Sequence, residues 1–460
     1  MLRSRSTLVL ALALAACSES TSQNLPPLDR FYFPIGIATT RLAGGTALFV
    51  ASANYDLRYS GGDGGTLLSI DPVASAGGGA LTLRGDGQRI GSYAGPVAVA
   101  DEATCSGDRA PVALVASRYD DLIYQFGVGT VGDLTCGPGC VRGALQGFKD
   151  PFALAVACRA AAPLSTRKAF VGYLSPPKSS LGSGFGAWIT EIDLDDPAAT
   201  REIEMGDGPV RAMAYDAATD RLWATTQSSG ARALLHSVLL SDPRWSGATP
   251  RQAVDTIDLF PFVHGAELRS IVVGTAPDTG AVSGSPVSRL FLTARLYDAE
   301  VQGSSGYRPI GDVGGVLIVL DVTEGVDGRP AVSIRAVESL GVGVEDVAIV
   351  RRAIPVPDLG LRDPDLVVAT VSGEGILYIY DDLDGSVVRV SGRSDLGAPI
   401  LGDRPMALAV DQSAAGAIAD VYVAAFGSHV VKSFVLDPAN PSAALGNPTT
   451  DLESIGGLAP

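Results

Sequence analysis

The sequence predicts an all-β fold, a single seven-bladed β-propeller of four-stranded antiparallel blades. Three observations lead there. Residues 405–438, PMALAVDQSAAGAIADVYVAAFGSHVVKSFVLDP, hold three short apolar runs rich in Val, Leu, Ala and Tyr. Gly, Ser and Asp separate the runs, so they read as the strands of a meander. The same three-run paragraph recurs along the chain, each time followed by a variable fourth run such as VDTIDLF at 254–260 or TDLESIG at 450–456. The composition, with 55 Gly and 29 Pro against 18% charged residues, is that of a turn-dense β protein. One four-stranded sheet cannot bury both of its faces. Stacking it between neighbours does so, and closing the ring removes the exposed ends. The rival architecture is a β-sandwich or a pair of them, against which the regular spacing argues.

The chain opens with MLRSRSTLVLALALAAC, a short basic head followed by an apolar run too short to span a bilayer. It reads as an export signal to be removed. The tetrad Leu14-Ala15-Ala16-Cys17 resembles the bacterial lipobox. That resemblance implies a lipoprotein signal peptide over 1–16, a lipidated Cys17 with a flexible tether over 17–30, and the propeller domain over 31–460. Several acyl chains anchor durably to a lipid bilayer, at about 0.8 kcal/mol per buried CH₂. Ser18 follows Cys17, and by resemblance to lipoprotein sorting rules a residue other than Asp there implies the outer membrane of the cell envelope. An ordinary signal peptide with a chance Cys is the alternative.

The units follow in order. Residues 34–72 give PIGIATT, TALFVASANYD and GTLLSIDP, and residues 96–128 give PVAVADEA, PVALVASRYDD and LIYQFGV. Residues 151–197 give PFALAVAC, KAFVGYL and AWITEIDLDDP, and residues 209–243 give PVRAMAYD, RLWATTQ and LLHSVLLSDP. Residues 268–323 give LRSIVVGT, RLFLTARLYD and GVLIVLDV, residues 345–381 give EDVAIVRR, DLVVATVSG and GILYIYD, and the seventh unit is the 405–438 stretch. The first run is the smallest and most uniformly apolar, which suits an innermost strand beside a narrow channel. Long insertions in the third and fifth units also allow a count of six or eight blades.

The repeated pattern P-x-[AG]-[VIL]-A, then [LV]-[FYWV]-V-A, then V-x-x-[IL]-D resembles the YVTN-type repeat of bacterial surface and periplasmic propellers. It covers nearly all of 34–456, departing where no Pro opens the fifth unit and where Glu345-Asp346 replaces it in the sixth. The resemblance implies a binding or scaffold module. Propeller lactonases share the architecture more distantly, and the repeat specifies fold far better than function.

With Cys17 lipidated, four cysteines remain, which in an exported protein suggests two disulfides with three possible pairings. Cys105 and Cys158 both follow the first strand of adjacent blades, and Cys136 and Cys140 flank a Gly-Pro-Gly that can fold back on itself. The propeller therefore selects Cys105–Cys158 and Cys136–Cys140. A metal site at Cys136 and Cys140 is the alternative, but it lacks a second Cys pair or a nearby His.

The formal net charge of -16, with no Lys/Arg stripe, makes nucleic acid a poor partner. In a propeller, the loops entering strand one and those joining strands two and three share one mouth. Asp150, Asp207, Glu267, Asp346 and Asp403 each stand near the start of a first strand, where they could hold a cation or a basic ligand, be neutralised by Arg211, Arg269 and Arg404, or merely cap turns. The Gly-rich loop 53–65 carries Asn54, Asp56 and Asp63, oxygen ligands of a kind suited to Ca²⁺, though the spacing fits no calcium loop. The matching loop at 294–315 offers Tyr297, Tyr307 and Arg308 for a ligand or partner, and 173–188 is a third long insertion. The recurring Asp closing run three (Asp71, Asp193, Asp321, Asp381, Asp437) can bond backbone N–H groups of the following turn.

No GxSxG, HExxH or P-loop is present. Of three His, His236 lies within a strand-like run, His429 begins a third strand, and His264 with Glu267 is the best acid–base pair. The reading that follows is a membrane-anchored, extracytoplasmic propeller that binds an envelope protein, a glycan or a small ligand through its loop-lined face. The alternative is a lactonase-type hydrolase with a cation or a His/Glu site at the channel mouth.

Overall fold

The second strand of each unit has the least polar run, and it is covered on both faces. In the computed structural model, Val112–Ser117 and Leu366–Val371 are buried at every residue, and Ala47–Ala51 are fully buried. A strand flanked by sheets on either side reads as a continuous apolar run rather than an alternating one. The outermost strand of the fifth unit, Pro330–Leu340, alternates half-buried and exposed residues along nearly its whole length, the pattern of a strand with one face in solvent.

The structure describes residues 25–59, 64–75, 81–101, 105, 109–137, 140–143, 148–159, 166–175, 186–196, 200–227, 233–241, 254–259, 266–274, 276, 287–302, 306–325, 328–352, 365–391, 400–441 and 453–455, without the side chains of Arg142, Arg159, Asp207, Gln227, 298–312, Glu453 and Ser454. Cys17, Asp63 and His264 lie outside the described residues, as does most of the 173–188 insertion.

The strands form seven antiparallel sheets, each built from consecutive strands in sequence order. The innermost strands are Pro34–Leu42, Ala94–Ala100, Lys149–Arg159, Val210–Asp216, Ala266–Gly274, Val344–Val350 and Pro405–Gln412. Each touches its neighbour in turn, and the first touches the last, so the ring is closed. Seven apolar clusters fill the seven interfaces between blades. Blade 7 takes all its strands from the C-terminal part of the chain and blade 1 all of its own from the N-terminal part. No strand is shared between them. Closure rests on packing of Phe31, Ile37, Leu48 and Val50 against Ala407, Tyr422, Ala424 and Val431, and on Asp411 of blade 7, which accepts from Arg41 at 2.5 Å and from Thr46 of blade 1.

Three features refine the sequence expectations. The 294–315 insertion is not a loop: Ser288–Gln302 and Gly306–Glu324 pair as one long hairpin with register shifts at Leu296/Tyr297 and Asp298/Ala299. Its alternating sequence simply prolongs the strand pattern. Blade 2 splits its outer strand: Leu134–Thr135 and Val141–Gly143 both pair with Leu122–Val128, and the break between them is spanned by the Cys136–Cys140 disulfide. Cys105 and Cys158 are joined across blades 2 and 3 with Cα atoms 4.9 Å apart. Finally, the Asp closing run three works as expected in four blades. Asp71, Asp193, Asp381 and Asp437 each accept a backbone N–H from the following turn. Asp321 instead takes Arg289 Nε at 2.6 Å, part of a buried group in which Arg289 also binds Asp382.

Candidate functional site

The channel mouth is built by one backbone device used in every blade. The register of strand one against strand two slips near its start in all seven sheets, between Pro34/Gly36, Ala94/Val97, Pro151/Ala153, Val210/Ala212, Leu268/Ser270, Val344/Val347 and Pro405/Ala407. A bulge of this kind re-aims a side chain. The extra residues are Ile35, Phe152, Arg211, Arg269 and Met406, with Gly95-Pro96 and Glu345-Asp346 in the other two blades. Ile35, Pro96, Phe152, Arg211, Arg269, Glu345, Asp346 and Met406 line one cavity of about 490 Å³.

Just before the bulge, Phe33, Tyr93, Asp150 and Arg404 hold φ of 52–55°, and Gly343 holds 82°. The left-handed turn aims a carbonyl at the end of strand two, where Ala53, Arg118, Ser372 and Phe426 N–H groups bond to Phe33, Tyr93, Gly343 and Arg404 respectively. Non-glycine residues adopt this conformation at a cost, and such strain concentrates at functional surfaces. Gly36 is needed for a different reason: a Cβ there would stand 2.4 Å from the Gly95 carbonyl oxygen of blade 2.

The ring of bulged residues divides the mouth in two. Blades 7, 1, 2 and 3 contribute Met406, Ile35, Pro96 and Phe152; blades 4, 5 and 6 contribute Arg211, Arg269, Glu345 and Asp346. On the charged side, Glu267 Oε1 accepts from Arg269 Nη1 at 2.9 Å and faces Arg211 Nη2 at 3.3 Å, while Oε2 accepts the Tyr297 hydroxyl at 2.6 Å. Glu345 accepts from Arg269 Nε and Nη2 at 3.0 and 2.8 Å, pairs with Arg295 and takes the Ser372 hydroxyl at 3.1 Å. Burial alone would raise the Glu267 carboxyl, but the Arg269 and Arg211 guanidiniums and the Tyr297 hydroxyl outweigh it and hold it below the usual carboxylate range. Asp346 bridges three blades, accepting from Ser270 Oγ at 2.7 Å, Val347 N at 2.9 Å and Leu408 N at 2.8 Å. Burial nevertheless pushes its carboxyl up.

The acids are thus engaged, whereas two arginines keep donors to spare. Among the described residues, the buried Nε atoms of Arg118 and Arg211 have no hydrogen-bond partner. Burial lowers the Arg211 pKa, and the Arg269 and Arg118 charges lower it further against the opposing pull of Glu267. Arg118 lies 5.8 Å over the Phe152 ring, with Asp150 Oδ1 3.9 Å from its Nε.

Beside the channel runs an aromatic rim. Phe426, Tyr55, Tyr93 and Tyr119 follow one another across blades 7, 1 and 2 with ring centroids 5.3, 5.8 and 6.1 Å apart. Tyr55 is 57% exposed and Tyr119 59%. With Arg118 and Asp150, the three tyrosines line a second hollow of about 510 Å³, which shares Tyr55 and Arg118 with the channel cavity.

The structure brings together only some of the residues singled out from sequence. Glu267, Asp346, Arg211, Arg269 and Tyr297 meet at the charged side, and Asp150 lies beside Arg118 at the hollow. Asp403 is exposed where blade 7 begins, its main-chain oxygen accepting Gly427 N–H at 2.9 Å. Asn54 is turned inward and fully buried, bonded to Tyr59 and Ser92, while Asp56 takes the Tyr32 hydroxyl at 2.6 Å and Arg58 at 3.1 Å. Among the described residues no group of three or more His, Cys, Asp or Glu side chains is placed to hold a metal ion, and Asn54 and Asp56 direct their oxygens at protein donors. The Asp207 side chain and those of Tyr307 and Arg308 are not described. His236 is buried within blade 4 between Thr226 and Thr256.

Tyr55, Tyr93, Tyr119 and Arg118 went unread in the sequence. A signal existed: a Tyr-Asp pair closes the second run of three units, at Tyr55-Asp56, Tyr119-Asp120 and Tyr297-Asp298. All three tyrosines stand at the mouth.

Among solved structures, the chain is similar to Kuenenia stuttgartiensis hydrazine synthase, with 13% identity, 91% of this chain and 99% of that chain covered, and a TM-score of 0.53. The β-propeller domain of Myceliophteria thermophila Cps50 (Swd1) matches with 10% identity over 88% of this chain and 98% of that one, with a TM-score of 0.47. At these identities the first likeness speaks for the fold alone. No protein-family model matches the chain, and no curated protein matches it.

Proposed function

We propose that the protein is an extracytoplasmic binding module of the YVTN-repeat kind, held to the outer membrane through acylated Cys17, and that it takes its ligand at the bulge-lined mouth of the ring. The propeller supplies a rigid frame. The observation that carries the reading is the mismatch in hydrogen bonding at that mouth: every described carboxylate in the Arg211–Glu267–Arg269–Glu345 chain is engaged, while Arg118 and Arg211 retain buried donors. Both arginines line the cavity, and a guanidinium whose donors the protein does not all satisfy favours an incoming acceptor. A cavity of about 490 Å³ that is apolar on one side and cationic on the other has the size and mixed lining of a small-molecule site.

The hydrolase reading finds less support. A general base must be able to take a proton near neutral pH. Glu267 is held ionised by two arginines and a tyrosine, an arrangement that resists proton uptake.

The test is a thermal melt of the mature chain, with Cys17→Ser for solubility, against a panel of organic anions, sugars and short peptides. Ligands that raise the melting temperature should lose that effect in Arg211→Met. Shifts that persist in Arg211→Met, or turnover of a panel compound, would count against the reading.

A further inference from the structure

From the aromatic rim and the arginines beside it, we infer that this mouth recognises an acidic oligosaccharide, its sugar rings stacked on Tyr55, Tyr93 and Tyr119 and a uronic carboxylate seated on Arg118 and Arg211. The inference rests on the binding-module reading and names its ligand class.

A pyranose ring has two apolar C–H faces and a polar edge of hydroxyls. The described lining of the second hollow has the complementary make-up: three tyrosine rings, one guanidinium and one carboxylate, with no aliphatic side chain. The tyrosines present flat rings with hydrogen-bonding tips, the pairing of apolar face and polar edge that a pyranose ring shares. Tyr55 and Tyr119 stand more than half exposed, so their rings are open to a ligand. The hollow adjoins the channel cavity at Tyr55 and Arg118, which line both. A saccharide lying on the tyrosines therefore brings its end to Arg118, which lines both hollows, and toward Arg211 in the channel cavity; among the described residues neither Nε has a hydrogen-bond partner, Arg118 Nε facing Asp150 Oδ1 only at 3.9 Å. A carboxylate is the acceptor that a guanidinium fork fits best. Asp150 at the edge of the hollow is an acceptor for sugar hydroxyls.

The experiment is calorimetric titration of the mature chain with galacturonic acid trimer and with the methyl ester of the same trimer, which keeps the rings and removes the charge. The trimer should bind at least tenfold tighter than its ester. Tyr55→Ala and Tyr119→Ala, both at exposed positions, should weaken trimer and ester alike by fivefold or more. Arg118→Gln should reduce the trimer to the affinity of the ester and leave the ester unchanged. Equal binding of trimer and ester, or tyrosine variants that bind like the parent, would overturn the inference. So would a protein that binds neither saccharide yet is stabilised by a simple carboxylate such as benzoate in an Arg211-dependent way. That last result would leave the binding-module reading standing, whereas a benzoate effect indifferent to Arg211→Met would remove both.

Discussion

Nδ1 of His429 accepts the backbone N–H of Phe33 at 2.9 Å, joining positions 396 residues apart. His429 sits on the turn before strand three of blade 7, and Phe33 lies just ahead of strand one of blade 1. The imidazole also stacks on Tyr32 and meets the Phe33 ring edge-on at 4.4 Å. Because no strand is shared between first and last blades, this bond joins those of Thr39, Arg41 and Thr46 to blade 7 as a polar link that closes the ring. Nδ1 must be unprotonated to accept, so the neutral ring carries its proton on Nε2. Burial lowers the His429 pKa, with Arg58 adding to it. The unfolded chain therefore binds a proton more readily than the folded one. The contribution is complete above the ordinary imidazole value and is lost as pH falls toward the lower folded value. His429→Ala should cost about 1–2 kcal/mol and flatten stability across that acid window. His429→Asn keeps an acceptor and tolerates the residue's φ of 55°, so it should recover most of the loss. Denaturant melts at stepped pH would check both; a pH profile unchanged in His429→Ala would refute the assignment.

Glu267 should behave as a linchpin of the mouth. It is 8% exposed and faces two guanidiniums. Removing one member of a buried ionic group leaves the other uncompensated, so Glu267→Gln should destabilise by about 3 kcal/mol. Its carboxyl lies below the usual range, so its stabilisation is present above the unfolded carboxylate value and disappears as pH drops through the folded one. Chemical denaturation between neutral and strongly acid pH should show the parent and Glu267→Gln converging at the acid end.

The two disulfides are unequal. Cys105–Cys158 encloses 53 residues of separation and ties strand-one ends of adjacent blades, whereas Cys136–Cys140 encloses four. Loop-closure entropy assigns about 4 kcal/mol to the first and about 2 to the second. Paired Cys105→Ala/Cys158→Ala should lower the melting temperature well beyond Cys136→Ala/Cys140→Ala, and peptide mapping of the oxidised chain should recover both linked pairs.

The division between what the sequence disclosed and what it hid has a physical cause. Blades were legible because burial on both faces forces runs such as TALFVAS and DLVVATV to be apolar throughout. The cysteine pairs followed once adjacent blades were placed side by side. The mouth was harder. Its residues are selected by a bulge, and a one-residue slip at Arg211 or Arg269 leaves no periodic trace. Sequence position brought Glu267 and Asp346 to the right end of the ring, but could not tell that Glu267 would meet two arginines while Asp346 would be held by Ser270 and two backbone N–H groups. The tyrosines of the rim were concealed by lying in turns, where an aromatic has no packing pattern to betray it.

The anchor can be tested apart from the ring. Among the described residues no helix is long and apolar enough to cross a membrane, and the proposed attachment is the acyl-bearing Cys17. Cys17→Ser should move the protein from the membrane fraction to the soluble fraction and abolish incorporation of labelled palmitate, while its melting temperature stays unchanged. Membrane retention of Cys17→Ser would exclude the lipid anchor.

Arg211 offers the sharpest separation of stability from function. Its guanidinium is largely buried, its Nε lacks an acceptor among the described residues, and Arg269 and Arg118 repel it. Glu267 keeps Arg269 and Tyr297 if Arg211 is lost. A buried cation so poorly compensated is often replaced by an apolar side chain at no cost or at a gain. Arg211→Met preserves the long aliphatic stem and should raise stability of the ligand-free protein by about 0.5–2 kcal/mol while abolishing binding at the mouth. Such a trade is expected of a residue held in readiness for a ligand. If Arg211→Met instead lowers the melting temperature as Glu267→Gln does, Arg211 serves the framework, and the ligand must be sought at Arg118 and the tyrosine rim alone.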